Sequence, residues 1–578
     1  MPLPATDLFL GRRQFLLGAL AAAVAACGSG TSPGDADGSP RGDASFPSGV
    51  TRYRQPFENW AREFSFPDVL TCAPASAEAA VAIVNWAALS GYTVRARGAM
   101  HNWSPLTLAP DTRPDTRVIL LDTTRHLNAM AIEEQPMPCV RAGAGVLLED
   151  LLAFLETQGY GFTATPAVGA ITLGGALAIN GHGCAVPASG ETALPRQTYG
   201  SLSNRVLALT AIVWLPDRQR YGLRRFERRE SDIGALLTAL GRTFITEITL
   251  AVEPNQNLRC VSHINIPASE MFAAPGSGGR DMASFLDSSG RLEAIWYAFT
   301  DKPWLKAWHV SPTRPAGSRA VSAPYNYPFS DNLPQPVVDL AQQLVTGRPE
   351  AAPLFGQATY AITAAGLTAT LSQDIWGPSK NTLLFIKPTT LRVHEFSYAV
   401  LTRRDRAQQV IHDFVEKYLE RLAAYQAQGL YPVNMPVEIR ISGLDHAGDI
   451  GLAGAQEARL SALAPRPDHP DWDTAVWLAI LTIPGTPGMH DFFRDMEQWL
   501  LGHYTGDYAG PRPEWSKGWA NSSEAAWDDD DILDRVIPAA HSAGKPAALG
   551  WRSTMATLAR LDPAGVYQNS FLARLTAR

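Results

Sequence analysis

Thr165-Pro166-Ala167-Val168-Gly169-Ala170-Ile171-Thr172-Leu173-Gly174-Gly175-Ala176-Leu177-Ala178-Ile179-Asn180-Gly181-His182-Gly183 carries five glycines in nineteen residues. Such a stretch leaves backbone N–H groups uncovered by side chains, and uncovered N–H groups on a loop or helix N-terminus bind phosphate oxygens closely. The competing reading is a buried turn where elements pack tightly. Upstream lies Arg97-Gly98-Ala99-Met100-His101-Asn102-Trp103-Ser104-Pro105, a histidine on a loop that opens at a glycine. The β-branched run from Tyr92 to Arg97 predicts a strand that delivers it.

The surroundings of these two loops alternate helix and strand. Ser76 can cap a helix with Glu78 in its first turn, Ala79 to Leu89 as its body and Gly91 as its stop. Val118 to Leu121 reads as a short buried strand. Val140-Arg-Ala-Gly-Ala-Gly145 leads into a helix with Val146, Leu147, Leu151, Leu152 and Leu155 on one face. Gly143-Ala-Gly145 raises a dinucleotide fingerprint, but Leu148 stands where its third glycine belongs, which argues against a Rossmann fold. Further strands are expected at Val206–Val213 and Phe244–Leu250.

At 578 residues the chain exceeds one ordinary hydrophobic core, so two packed domains are expected. A net charge of −7 and no basic stripe with interleaved aromatics argue against a nucleic-acid partner. Cys72, Cys139, Cys184 and Cys260 form no C-x-x-C pair and no metal-ligand spacing, so buried thiols are expected, with a disulfide of unassigned pairing as the alternative, and no metal. Residues 1–27 read as an export signal: Arg12-Arg13 is a twin-arginine pair, followed by an apolar run from Phe15 to Ala26 too short to span a bilayer. Val24-Ala-Ala-Cys27 fits a lipoprotein box with Cys27 acylated, or simple cleavage after small residues. Residues 28–49 are rich in Gly, Ser, Asp and Pro and read as a disordered tether.

Beyond Pro254 the pattern changes. Residues 255–330 read as loop-rich, and the aromatics between 291 and 309 (Trp296, Tyr297, Phe299, Trp304, Trp308) read as core. Residues 404–427 predict a long amphipathic helix stopped by Gly429 and Pro432. In Met435-Pro-Val-Glu438-Ile439-Arg440-Ile-Ser-Gly443, strand alternation puts Glu438 and Arg440 on one face. They form either a structural ion pair or a base held ionised by a guanidinium.

In their order, Arg97-Gly98-x-x-His101, the Pro166-x-x-Gly169-x-x-x-x-Gly174-Gly175 loop and Ile245-Thr-Glu-Ile-Thr-Leu250 resemble the vanillyl-alcohol-oxidase-type (PCMH-type) FAD-binding domain. The likeness covers roughly residues 60–253. It implies an α+β fold of two subdomains clasping FAD, followed by a large antiparallel-sheet-and-helix substrate-binding domain. It also implies FAD contacts from Arg97, Gly98, Ala99, Met100, His101 and Asn102 on the first loop. On the second loop it implies Pro166, Gly169, Thr172, Gly174, Gly175, Asn180, Gly181 and Gly183, with Ile245 from the strand. In that family a histidine at the His101 position can bond to the flavin 8-methyl carbon.

Arg512-Pro-Glu-Trp-Ser-Lys517 resembles a segment of FAD-linked sugar-alcohol and aldonolactone oxidases, which also carry a Glu-x-Arg strand and place the lysine near the flavin. Asp562-Pro-x-x-x-Tyr567-x-Asn569 resembles the terminal segment that returns to the FAD domain. The loop Arg97–Leu106, Ile295-Trp-Tyr-Ala-Phe-Thr-Asp-Lys-Pro-Trp-Leu-Lys306 and Leu481-Thr-Ile-Pro-Gly-Thr-Pro487 resemble the flavin-linked (type II) cholesterol oxidases. That likeness implies Glu438 and Arg440 as a paired gate, with Glu293, Glu395 and Lys517 around the cavity. Ala479 departs from it, standing where a polar amide belongs. The expected organisation is an FAD-binding domain over 50–254, a substrate domain over 255–540 and a returning segment over 541–578. The expected activity is oxidation of a sterol 3β-hydroxyl with O2, giving the 4-en-3-one and hydrogen peroxide. Two rivals stand: a sugar-alcohol or aldonolactone oxidase, and a non-catalytic exported binding lipoprotein on the same scaffold. Export implies a periplasmic, secreted or lipid-anchored location, with membrane association through the substrate or an acylated Cys27.

Overall fold

The first long helix forms where a cap and an apolar stripe coincide. In the computed structural model, which describes residues 45–576 except 136, 331–333 and 386–391, the Ser76 hydroxyl accepts the Ala79 N–H at 3.2 Å. The helix Ala77–Ser90 follows and ends at Gly91 in the left-handed conformation, φ 69°. Its buried Ala80, Ile83, Val84 and Ala87 face the strands Thr93–Arg97 and Val118–Asp122. The export signal and most of the tether lie outside the described residues.

Two sheets make up this half. One has four strands in the order Arg52–Glu58, Ser65–Cys72, Val118–Asp122, Thr93–Arg97, of which the last three run parallel. The other has five, in the order Met130–Glu133, Cys139–Gly143, Phe244–Ala251, Val206–Leu215, Arg220–Glu227, all antiparallel. Antiparallel pairing around Cys139–Gly143 excludes a parallel βαβ dinucleotide unit. The helix Leu148–Thr157 buries Leu151, Leu152 and Leu155 of the predicted stripe together with Leu148, while Val146 and Leu147 precede its first turn.

The chain end closes onto this half. The Val94 N–H donates to the Val566 carbonyl at 2.8 Å, and the Tyr567 hydroxyl to the Ile212 carbonyl at 2.8 Å. The Asp562 carboxylate accepts N–H groups of Val566 and Tyr567 at 2.9 and 3.0 Å. Buried Arg95 donates to carbonyls of Gly241, Thr107, Leu106 and Tyr567, so one guanidinium ties three segments. Every one of these is a buried polar group with its partner, as folding requires.

The second half is built on a nine-stranded sheet in the order Arg319–Ala320, Asp374–Pro378, Asn257–His263, Trp304–Val310, Arg291–Trp296, Val437–Gly443, Thr474–Thr482, His394–Thr402, Ala509–Pro513. Only the first pair is parallel. The helix Ala407–Gln426 covers it with Val410, Ile411, Phe414, Val415 and Tyr418, as the amphipathic pattern predicts. The loop-rich expectation for 255–330 is corrected, because four of these strands lie there. Their alternation is masked by polar side chains at inward positions: Ser262 and Lys306 pair across the sheet, and so do Lys306 and Glu293. Trp296, Trp304 and Trp308 are buried at 4% exposure each, as core.

Candidate active site

A cleft opens between the two halves. Its floor is the loop after the strand Thr93–Arg97, running from Arg97 through Trp103, and its roof is the Pro166–His182 segment. Gly98 is required by the closeness of the two: a Cβ there would stand 2.2 Å from Thr172 Oγ1. We expect Gly98→Ala to push the loops apart at an overpacking cost of about 1–3 kcal/mol. It should show as loss of bound cofactor per protein, partly restored by adding Thr172→Ala.

The first loop also supplies the anion cradle. The backbone N–H groups of Ala99, Met100, His101 and Asn102 donate to no acceptor among the described residues, and all four residues line the cleft. Met100 sits at φ 57°, and a left-handed residue within such a run turns successive N–H groups to one side, as in an anion nest. These residues fit a pyrophosphate-bearing cofactor.

Of the second loop, Pro166, Thr172, Gly174, Gly175, Asn180 and Gly181 line the cleft, and so does Ile245. Gly169 and Gly183 do not. The Gly169 N–H donates to the Phe385 carbonyl at 3.1 Å, and a Cβ on Gly183 would meet the Thr165 nitrogen at 2.5 Å. Gly183 therefore answers to tight packing. Asn180, at φ 61°, accepts from Ala462 N and Ser461 Oγ at 2.9 and 3.0 Å, so its side chain anchors the loop to the second half.

His101 stands at one end of the cleft. Its ring lies on the Trp60 indole, centroids 3.6 Å apart, with the edge of Trp103 at 5.5 Å. Burial, with Lys517 and Arg392 adding like charge, pushes its pKa down to about 3. The imidazole is neutral at ordinary pH, with a lone pair free for bonding.

From the second half, Arg440, Glu514, Ser516 and Lys517 reach the cleft wall. The Lys517 ammonium lies 3.6 Å from the Trp103 ring centroid and pairs with Glu395 Oε2. Arg440 Nη2 lies 3.3 Å from Glu395 Oε1 and 3.3 Å from Glu438 Oε2, and its Nε is buried without a partner. Sheet register explains the gathering. Glu293 faces Arg440 across one strand pair and Lys306 across the other, and Glu438 faces Ala479, which faces Ser397. All project from one face.

Glu293, Glu395 and Glu438 stand behind Arg440 and Lys517 rather than on the cleft wall, which differs from a base placed directly against the flavin. Burial raises the Glu438 carboxyl to about 7, with Glu395 and Glu293 adding to the rise and Arg440 opposing it. Ala479 places no donor opposite it. Glu293 ends below its ordinary value, because Lys306 at 2.7 Å and Arg440 outweigh the burial.

Sequence reasoning passed over Glu514, His182 and Trp60. Glu514 Oε2 accepts from Ser397 Oγ at 2.6 Å and Oε1 lies 3.5 Å from His182 Nε2. Burial alone would raise it, but His182, Lys517 and Arg440 hold it well below the carboxylate range. The His182 ring stacks on Trp477 at 3.5 Å and 4°. The first two lie inside segments singled out for their neighbours. Trp60 carries no motif, and only its stacking reveals it.

The chain matches two family models: a cholesterol oxidase substrate-binding domain over residues 257–577 and an FAD-binding domain over residues 69–212. A search of curated proteins returned no match. Among solved structures, a solvent-stable cholesterol oxidase is 52% identical, with TM-score 0.91 over 92% of this chain and 99% of that one. Cholesterol oxidase from Brevibacterium sterolicum and a histidine-to-alanine variant of it are each 45% identical, with TM-score 0.90 over 92% of this chain and 98% of theirs.

Proposed function

The chain belongs to the cholesterol oxidase family of FAD-dependent oxidoreductases acting on an alcohol, and from that premise we propose that it oxidises the 3β-hydroxyl of a sterol with O2 as electron acceptor. The observation that carries this reading is the meeting of Arg440, Lys517 and Glu514 with His101 and the glycine loop around one cleft. Bound FAD supplies hydride acceptance and transfer of the electrons to O2.

The chain's own residues handle protons and charge. Glu438 is the proposed acceptor of the hydroxyl proton: burial lifts its carboxyl toward neutrality, and Arg440, 3.3 Å from it, reaches the cleft wall. Lys517 and Arg440 stabilise negative charge developing at the oxygen. Moving the double bond from C5 to C4 requires carriage of a proton from C4 to C6, for which Glu395 and Glu293 are the candidates. Each is held by a cation, Lys517 and Lys306 respectively. The test is a substrate panel: we expect hydrogen peroxide with cholesterol and none with xylitol or an aldonolactone. The reverse pattern favours the sugar-alcohol oxidase, and no flavin reduction by any alcohol favours the binding protein.

His101 is the proposed covalent link to the flavin. Neutral imidazole at the cleft end supports it. In wild-type protein yellow flavin should stay with the acid-denatured polypeptide, and in His101→Ala it should wash off. Flavin that washes off the wild type defeats the link. Arg12-Arg13 supports twin-arginine export of the folded, loaded enzyme to the cell envelope or beyond, and Cys27 is the site for a lipid anchor.

A further inference from the structure

Covalent attachment demands a defined ring orientation. A histidine ring is ordinarily oriented by a hydrogen bond at the nitrogen that does not react. His101 has no side-chain hydrogen bond among the described residues; its ring is held by ring contacts, lying over Trp60 at a 34° tilt with Trp103 edge-on. Trp60 is 6% exposed, and its own backbone is laced to the loop that carries His101. Its N–H donates to the Asn102 carbonyl at 2.9 Å, while neighbouring Asn59 Nδ2 donates to the Trp103 carbonyl at 3.0 Å.

The other side of Trp60 is held from the second half of the chain. The Arg392 guanidinium carbon lies 4.1 Å from the Trp60 ring centroid, and Arg392 Nη1 donates to the Trp60 carbonyl at 3.1 Å. Two planar groups cannot share one indole face at such distances, so the indole is sandwiched between His101 and Arg392. The turn that carries Trp60 is fastened again by a hydrogen bond between Glu63 and buried His394.

We propose that Trp60 is the positioning residue for covalent attachment of the flavin to His101, and that Arg392 sets Trp60 in place. This rests on the covalent reading above. In the attachment one N–C bond forms between the imidazole and the 8-methyl carbon. The imidazole N–H and one methyl C–H are lost, and the two protons and two electrons released leave on O2 as hydrogen peroxide. The nitrogen lone pair lies in the ring plane, so the stack decides whether it points at the methyl group. Because Arg392 belongs to the second half, attachment follows packing of the two halves.

The experiment follows attachment in air by acid precipitation, comparing flavin retained on the polypeptide with flavin released, in wild type, Trp60→Phe, Trp60→Ala and Arg392→Met. Misorientation of reacting groups costs roughly 10- to 100-fold in rate. We expect such a fall in Trp60→Ala, a smaller one in Arg392→Met and near-wild-type attachment in Trp60→Phe, with total FAD before denaturation unchanged in all. Attachment at the wild-type rate in Trp60→Ala overturns the proposal. So does loss of total FAD with the remainder attached in wild-type proportion, which makes Trp60 a residue of the fold. Should Trp60→Ala not accumulate, Arg392→Met decides, since it leaves the indole in place; a wild-type rate there overturns the proposal. Complete release of flavin from the wild type defeats the covalent reading itself, a distinct result.

Discussion

Glu438→Gln is expected to slow sterol-driven flavin reduction by about 10²–10⁴-fold, the usual worth of a positioned general base. The substitution keeps the size of the side chain and removes its ability to take a proton, along with its charge beside Arg440. Total FAD should be unchanged, because Glu438 stands behind Arg440 and touches none of the cofactor cradle. Rapid-mixing absorbance of the oxidised flavin measures it, and reduction at the wild-type rate sinks the assignment. The pH dependence follows from the same carboxyl. Its folded pKa, about 7, lies above the ordinary carboxylate value. The protonated form therefore contributes stability that is fully present below the ordinary value and is lost as pH rises through about 7. The base form gains population over that same interval. Wild-type reduction should climb through pH 7 to a plateau, and the climb should be absent in Glu438→Gln.

Arg440→Met is expected to destabilise the enzyme by about 3–5 kcal/mol, the cost of stripping the partner from buried charges. Arg440 lies between Glu395 and Glu438 and faces Glu293 across the sheet, and all are largely shielded from water. Its own pKa is raised: burial opposes the charge, but Glu438, Glu514, Glu395 and Glu293 outweigh it. Removing it leaves Lys517 and Lys306 to serve the remaining carboxylates. Denaturant unfolding of the holoenzyme measures the loss. Adding Glu438→Gln to Arg440→Met should return part of it, since one unpaired carboxylate is gone. Strict additivity of the two changes overturns the claim that they form one network.

The sequence showed the FAD-binding half in some detail. Ser76 to Gly91, the stripe of Leu151, Leu152 and Leu155 and the strand before His101 each follow from caps and periodicity within a few residues. The second half was less legible. Its strands Asn257–His263, Arg291–Trp296 and Trp304–Val310 carry Ser262, Glu293 and Lys306 inward, where an ordinary core pattern requires apolar groups. Of the side chains that hid the strands, Glu293 and Lys306 belong to the charged network behind the cleft. Glu514 and His182 were in view but unread, because their pairing crosses more than three hundred residues.

By itself the sequence determined the cofactor chemistry: glycines that admit close approach, a histidine on the loop after a strand, and a terminal segment that returns to the same domain. Those signals are local, so a short stretch of chain contains them whole. Only the tertiary structure decided which loop offers free N–H groups, which glycines merely allow packing, and which carboxylate is poised near neutrality. It also decided that Trp60 lies between His101 and Arg392. Each of these depends on burial and on charges brought together by sheet register from distant segments. A pKa or a ring orientation is a property of surroundings, and the surroundings of Glu438 and His101 exist only once both halves have packed.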